Sequence, residues 1–410
     1  MPRPKNAPSK VAIGNNPERS RTHNRRVVLD AVRLHGPLGR TAIARLAHLS
    51  SQAVSNIVGE LLEEGLLLEC GRLRAGRGLP PVQVMVNPDG GMTVGVEIAA
   101  DHLVTVLVDL LGQVRAHHTI PLGDTAPRHI KQRLKAEIDK ACEKVPGASE
   151  RLLGVGVVMP GPFEIEGMSS VGPTTLPGWS GLDASAVLSE TTGKTTLVEN
   201  DATAAAVGER LHGVARNLKN FCLLYFGVGL GLGIVTEGRP LRGAFGNAGE
   251  IGHIIVAPGG KPCPCGNRGC LERYASPHAL KERLSAGGIA CDDPLELEAL
   301  HRQAHPIVRE WIAEAAFYLS PVVGMLENLF DPESIVFGGG LPDALLDDLI
   351  AALDPLPRSI ASRHQRSVPR VMRGATGQLT AALGAAALPL LETVTPRLDT
   401  ATEPASEEKL

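Results

Sequence analysis

The sequence predicts an α/β body carried behind a small N-terminal winged helix-turn-helix. Three observations predict it. After Gly91, runs of Val, Ile and Leu alternate with helical stretches, the pattern of an α/β domain. Between Asn24 and Val86 the pattern instead gives short helices followed by two alternating strands. Charge divides near the same place: residues 1–80 hold 13 Lys/Arg against 6 Asp/Glu, a net of +7, while the rest hold 28 against 38, a net of −10. A basic head on an acidic body directs any polyanion to the head.

The 410 residues are enough for two or three domains, and 43% hydrophobic with 21% charged residues is ordinary for a globular chain. Aromatic content of 3% argues against base-stacking platforms. No apolar run approaches the roughly 20 residues that span a bilayer. The opening MPRPKNAPSK has no apolar core of a secretion signal. A cytoplasmic protein with no membrane partner is expected.

Residues 1–22, rich in Pro, Asn, Ser and basic side chains, read as a flexible arm, and 23–86 as the head. With Arg40 at the first position of a helix-turn-helix, Ala44 falls at the fifth, where a small residue lets two helices approach. His48, Leu49 and Ser50 make the turn. The second helix buries Val54, Ile57, Val58, Leu61 and Leu62 at helical spacing and offers Ser51, Gln52, Ser55 and Asn56 on its other face. Short polar side chains of that kind reach base edges from a major-groove helix; a plain amphipathic hairpin would share the periodicity. The following stretch decides for double-stranded DNA: ELLEEGLLL enters a strand, Arg72, Arg74 and Arg77 sit between glycines at the tip, and Val82, Val84 and Val86 return on alternate positions. That is a wing placed for backbone or minor-groove contact.

NPDGG at 87–91 reads as a linker, and 92–392 as the body. Strands are expected at Leu153–Met159, Thr196–Val198, Phe221–Tyr225, Gly233–Thr236 and Ser334–Phe337, with a helix from Ala202 and mainly helices from His278 to Leu329. Residues 393–410 are polar and read as a disordered tail. His253, Cys263, Cys265 and Cys270 supply four ligands within 18 residues on a glycine-rich loop. The set fits one structural, tetrahedral Zn2+ per chain; free thiols or a disulfide are the alternatives, though Cys263 and Cys265 are too close for an unstrained bridge.

These motifs resemble the ROK family (repressors, open reading frames and sugar kinases), in its winged-helix branch of xylose and N-acetylglucosamine repressors. The resemblance covers about residues 24–390 and is most specific where GEIGH is followed by CPCGNRGCLE. It implies a two-lobed, actin-like body closing on a sugar or sugar derivative. Asn200 and Asp201 match an Asn-Asp pair whose Asp is the base of the kinases; Asp201 alone would also serve as a helix cap. Glu250, His253 and Glu272 match sugar-binding residues, His253 being shared with the metal. Pro160-Gly161-Pro162 and Leu176-Pro177-Gly178-Trp179 resemble loops at the sugar end of the cleft.

The departures concern phosphate. Where the kinases carry Asp-x-Gly-Gly-Thr, the chain has Glu97-Ile98-Ala99-Ala100-Asp101, with two methyl groups where backbone must approach phosphate. Gly227, Gly229, Gly231 and Gly233 are kept in the second loop, but Val228 replaces a usual Thr; Gly338–Gly340 resembles the adenosine loop or is only a tight turn. The resemblance with these departures implies a sugar-responsive transcription regulator, by default a repressor. It would act as a homodimer or dimer of dimers on operator DNA and would not be an enzyme, Asp201 being a vestigial base. An active sugar kinase with a DNA-binding head, or a regulator controlled by a protein partner over a vestigial cleft, are the alternatives. Thr203 and Thr175, where Asn is common, leave the sugar open.

Overall fold

The computed structural model describes residues 17–72, 82–161, 176–179, 181–291, 293–361 and 366–394. They divide at Gly90/Gly91 into two compact units, the second ending at Leu390.

In the first unit, helices α1 (Pro17–His35), α2 (Arg40–Ala47) and α3 (Ser51–Glu63) pack beside a three-stranded sheet. Its strands are β1 (Leu38–Gly39), β2 (Leu67–Arg72) and β3 (Val82–Val86), in the order β1-β3-β2. The chain turns between α2 and α3 at His48, which is left-handed with φ 51°, and Ser50 caps α3 by accepting from the Ala53 N–H at 3.2 Å. Val28, Leu29 and Val32 of α1 meet Ile43, Val54, Ile57, Val58 and Leu61 in the core; Leu62, expected inside, is only half-buried.

The expected arm is shorter than the sequence reading, because α1 already begins at Pro17. Arg21 pairs with Glu60, and Arg25 with Glu60 and Glu64, across the α1–α3 packing. Such half-exposed pairs contribute about 0.2–1 kcal/mol each, against roughly 1.5–3 kcal/mol for each buried aliphatic side chain. Burial holds α1 and the ion pairs orient it. Residues 87–90 of the expected turn-rich linker belong to the first unit. Asn87 donates from its amide to the Gly65 carbonyl at 2.7 Å, and a 3-10 turn follows over Pro88–Gly90.

The second unit has two lobes built alike. Its first sheet contains β4 (Met92–Ile98), β5 (His102–Asp109), β6 (Val114–Pro121), β7 (Leu152–Met159) and β8 (Thr196–Asn200), ordered β6-β5-β4-β7-β8. Helices α4 (Pro127–Glu143) and α5 (Ala184–Thr192) cover one face. After α6 (Asp201–His212), the second sheet contains β9 (Phe221–Phe226), β10 (Gly231–Thr236), β11 (Arg239–Pro240), β12 (Ser334–Gly339) and β13 (Val371–Arg373), ordered β11-β10-β9-β12-β13. In each sheet an antiparallel meander of three strands is extended by two parallel strands.

Trp311, with no exposed surface, lies in the second lobe's core. Helices α7 (Glu272–Ala275), α8 (Pro277–Ala286), α9 (Pro294–Arg302), α10 (Pro306–Phe330) and α11 (Asp343–Ala352) belong to this lobe. Helix α12 (Thr380–Val394) returns to the first sheet, where the Thr93 hydroxyl donates to the Ala386 carbonyl at 2.9 Å. It also crosses α6 at contact distance, where a Cβ on Gly384 would stand 1.8 Å from the Ala204 carbonyl oxygen, and lies as close to β7, where one on Gly156 would stand 1.8 Å from the Ala385 carbonyl oxygen. Only glycine permits backbones that close.

Candidate functional site

The two lobes meet where β8 ends and α6 begins. Asn200 caps α6, its side-chain oxygen accepting from the Thr203 N–H at 3.1 Å, and the Asp201 carboxylate accepts from the Ala202 N–H at 2.7 Å. Facing them, Gly249 leads from the β10–β11 hairpin into a 3-10 turn over Ile251–His253, which presents Glu250 and His253. An added Cβ at Gly161 would lie 2.9 Å from Asn200 Nδ2 and 3.1 Å from Glu250 Oε1, so three separate segments converge on one point. Glu272, the first residue of α7, is buried and accepts from the Leu230 N–H at 3.3 Å.

Electrostatics here runs against ionisation. Burial, followed by the charges of Glu97 and Glu250, pushes Asp201 up to about 8. Loss of hydration, with the Glu272 charge, raises Glu250, and burial raises Glu272. Such a cluster can offer a polyol several hydrogen bonds at once, and it rejects a ligand that leaves its buried polar groups unpaired.

The sequence alone gives no role to Tyr225, Glu199, Arg242, Lys281 or His102. Tyr225 at the end of β9 donates its hydroxyl hydrogen to Glu97 Oε1 at 2.6 Å, joining the two sheets inside the cleft. Glu97 itself figured only as a departure from a phosphate loop. Arg242 donates to Glu199 at 2.6 Å beside Asn200. Lys281 of α8 donates to Asp101 at 3.5 Å, and His102 lies 2.6 Å from the same carboxylate. The His102 hydrogen bond, working against burial, and the Lys281 charge hold Asp101 down at about 2. Asp101, on the turn after β4, is therefore an anion already paired across the lobes.

Of the two expected closing loops, Trp179 is a core residue, its indole N–H donating to the Thr125 carbonyl at 2.8 Å, with Leu176 buried beside it. Pro162 and Thr175 lie outside the described residues.

His253, Cys263, Cys265 and Cys270 form a group that could hold a metal ion, their ligand atoms all within 4.8 Å of one another. His253 Nδ1 is 3.6 Å from Cys263 Sγ, and Cys265 Sγ is 3.6 Å from Cys270 Sγ. The separation is too long for a disulfide and matches the edge of about 3.8 Å that Zn–S bonds of about 2.3 Å give a tetrahedron. Backbone bonds from Cys263 N–H to Asn267 O and from Gly269 N–H to Lys261 O close the loop around that point.

In the head, Ser51, Gln52, Ser55 and Asn56 are all exposed on one face of α3, and the Gln52 amide donates to Asn56 Oδ1 at 3.0 Å. Arg72 ends β2, while Arg74 and Arg77 lie outside the described residues. No helix among the described residues is long and apolar enough to cross a membrane.

A sequence profile of the ROK family matches residues 93–391. The xylose repressor of Bacillus spizizenii is 26% identical over 342 residues, which span 83% of this chain and 87% of that protein. Among solved structures, a ROK family transcriptional regulator described as a homolog of the E. coli MLC protein superposes with a TM-score of 0.72 at 26% identity, covering 92% of this chain and 98% of its own. A ROK family glucokinase from Streptomyces griseus, in complex with glucose and AMPPNP, gives 0.62 at 28% identity, covering 73% of this chain and 99% of its own. The body, Gly91–Leu390, is 300 of 410 residues, or 73%. The kinase likeness thus equals a body's share, and the regulator likeness must include most of the head.

Proposed function

The chain belongs to the ROK family, and from that premise we propose that it is a sugar-responsive transcriptional repressor whose body has lost kinase activity. The observation that carries this reading is the regulator likeness over 92% of the chain, head included. Asn200, Asp201, Glu250, His253 and Glu272 bind the sugar. Ser51, Gln52, Ser55 and Asn56 face the major groove, and Arg72, Arg74 and Arg77 hold the phosphate backbone. Two heads in a homodimer read an inverted repeat. Sugar acts by binding two lobe arrangements unequally, since a ligand with equal affinity for both shifts nothing; a factor of about 5–150 is typical of such coupling.

Loss of phosphoryl transfer is supported on the nucleotide side. Ala99 and Ala100 carry methyl groups where phosphate would approach, and Asp101, paired to Lys281, occupies that turn with negative charge. His253, Cys263, Cys265 and Cys270 would hold a structural zinc, which supplies folding energy to the loop between Glu250 and Glu272. The test is a thermal-shift screen of pentoses, hexoses, amino sugars and their phosphates. A sugar should raise Tm and lose that effect in Glu250→Gln, whereas no shift from any sugar contradicts the reading.

A further inference from the structure

Glu97 is the last residue but one of β4, and the sheet register sets it beside Val158 of β7, which in turn pairs with Glu199 of β8. Strands β4, β7 and β8 run parallel, so Glu97, Gly161 and Asn200 lie at or just past the carboxyl ends of three adjacent strands. Open α/β sheets receive their ligands at such ends. Residues paired across neighbouring strands share a face of the sheet. Val158 belongs to one buried cluster with Ala202 of α6 and Tyr225 of β9, so Glu97 points to that same side, toward the other lobe. It reaches that lobe, because its Oε1 accepts the Tyr225 hydroxyl hydrogen at 2.6 Å. Glu97 is only 4% exposed, yet its buried Oε2 bonds to no protein group.

A buried polar oxygen without a partner is costly, and a ligand group that bonds to it removes that cost. A metal ion is not the fitting ligand. Among the described residues, His253, Cys263, Cys265 and Cys270 are the one group of three or more His, Cys, Asp or Glu side chains placed to share an ion, and Glu97 is outside it. A hydroxyl suits this oxygen best, because it donates to a carboxylate and accepts from a carboxylic acid, and so fits Glu97 in either state of protonation. An ionised phosphate has no hydrogen to give and would add charge to a cleft that already holds Glu97, Asp201, Glu250 and Glu272. The geometry points to Glu97 as a further effector-binding residue, whose Oε2 receives a hydroxyl of an uncharged sugar while Tyr225 holds the carboxyl in place from the other lobe. This rests on the sugar reading of the cleft and narrows it to unphosphorylated sugars.

The experiment is calorimetric titration of the full chain with D-xylose, D-glucose, N-acetyl-D-glucosamine and D-glucose 6-phosphate, and then with the monodeoxy forms of whichever free sugar binds. Glu97→Gln and Glu97→Ala are titrated beside wild type. Loss of one hydrogen bond to a charged partner should weaken binding in Glu97→Ala about 10- to 100-fold. Glu97→Gln, which keeps an acceptor and the shape of the side chain, should lose less. One monodeoxy sugar should lose a similar factor on wild type and nothing further on Glu97→Ala, the signature of a hydroxyl and a residue that touch. Where Glu97→Ala fails to fold, Glu97→Gln serves in the same cycle. Losses that multiply for every monodeoxy sugar, or equal affinity in all three proteins, overturn the proposal, as does binding of the phosphate ester alone. If sugars bind and the cycle is additive, the role of Glu97 alone is withdrawn. If no ligand binds any of the proteins, the sugar reading fails and the role of Glu97 falls with it.

Discussion

Gln52 and Asn56 share one exposed turn of α3, and the hydrogen bond from the Gln52 amide to Asn56 Oδ1 leaves the other edge of each for a base. Asn56→Ala should cost about 1–3 kcal/mol of discrimination at one base pair of each half-site and leave the salt slope unchanged. Titrations of single-base operator variants check this; an even loss over all sequences would remove α3 as the reading helix. Asp201 makes a separate prediction. Its folded pKa stands above the ordinary 3.8, at about 8, so the folded chain binds this proton more tightly than the unfolded one. Stability from this group is therefore full below the ordinary value and falls as pH rises toward 8. Asp201→Asn should match wild type in acid and exceed it in Tm at pH 8, by about 2–4 °C for each kcal/mol recovered. Melting curves at both pH values test the sign. Asn200, Asp201, Glu250 and Glu272 could be named in the sequence because each sits in a short motif. Tyr225 could not, as its partner Glu97 lies 128 positions away and the pairing exists only once both sheets are built.

At the scale of elements, the loop from Glu250 to Glu272 is built of turns that bring His253, Cys263, Cys265 and Cys270 together. Elemental analysis should find about one zinc per chain. Cys265→Ser should lower Tm and weaken the sugar-dependent shift, since zinc binding and folding of the loop are one free energy; an unchanged shift in metal-free protein contradicts this. The α6–α12 crossing behaves differently. Gly384→Val would drive side-chain atoms into the Ala204 carbonyl and should cost about 1–3 kcal/mol or more, as overpacking does, read as a lower denaturation midpoint. Strand periodicity located β7, β8, β9, β10 and β12 closely. Helix α1 extends into the expected arm because Arg21, which reads as part of a solvated basic run, pairs with Glu60 of α3. Strand β1 has only two residues, Leu38 and Gly39, and exists because β3 offers an edge, which no local pattern announces.

Over the whole molecule, the periodicity of the head and the strand–helix alternation of the body made the winged α/β architecture legible, while the inter-lobe pairings of Glu97 with Tyr225 and Asp101 with Lys281 depended on the folded arrangement. Those pairings bear on the enzyme question: coupled assays over a sugar panel should detect no ATP-dependent sugar phosphate, and turnover of about 1 per second or more would contradict the loss of kinase chemistry. In the proposed mechanism, sugar in the cleft and DNA at α3 are linked through one equilibrium. The direct measurement is anisotropy of a labelled operator fragment, titrated with the full chain in the absence and presence of the sugar that raises Tm. Apparent affinity should be weaker with sugar, by a factor of about 5–150, and unchanged by sugar in Glu250→Gln. Equal affinity with and without a sugar that demonstrably binds would contradict it.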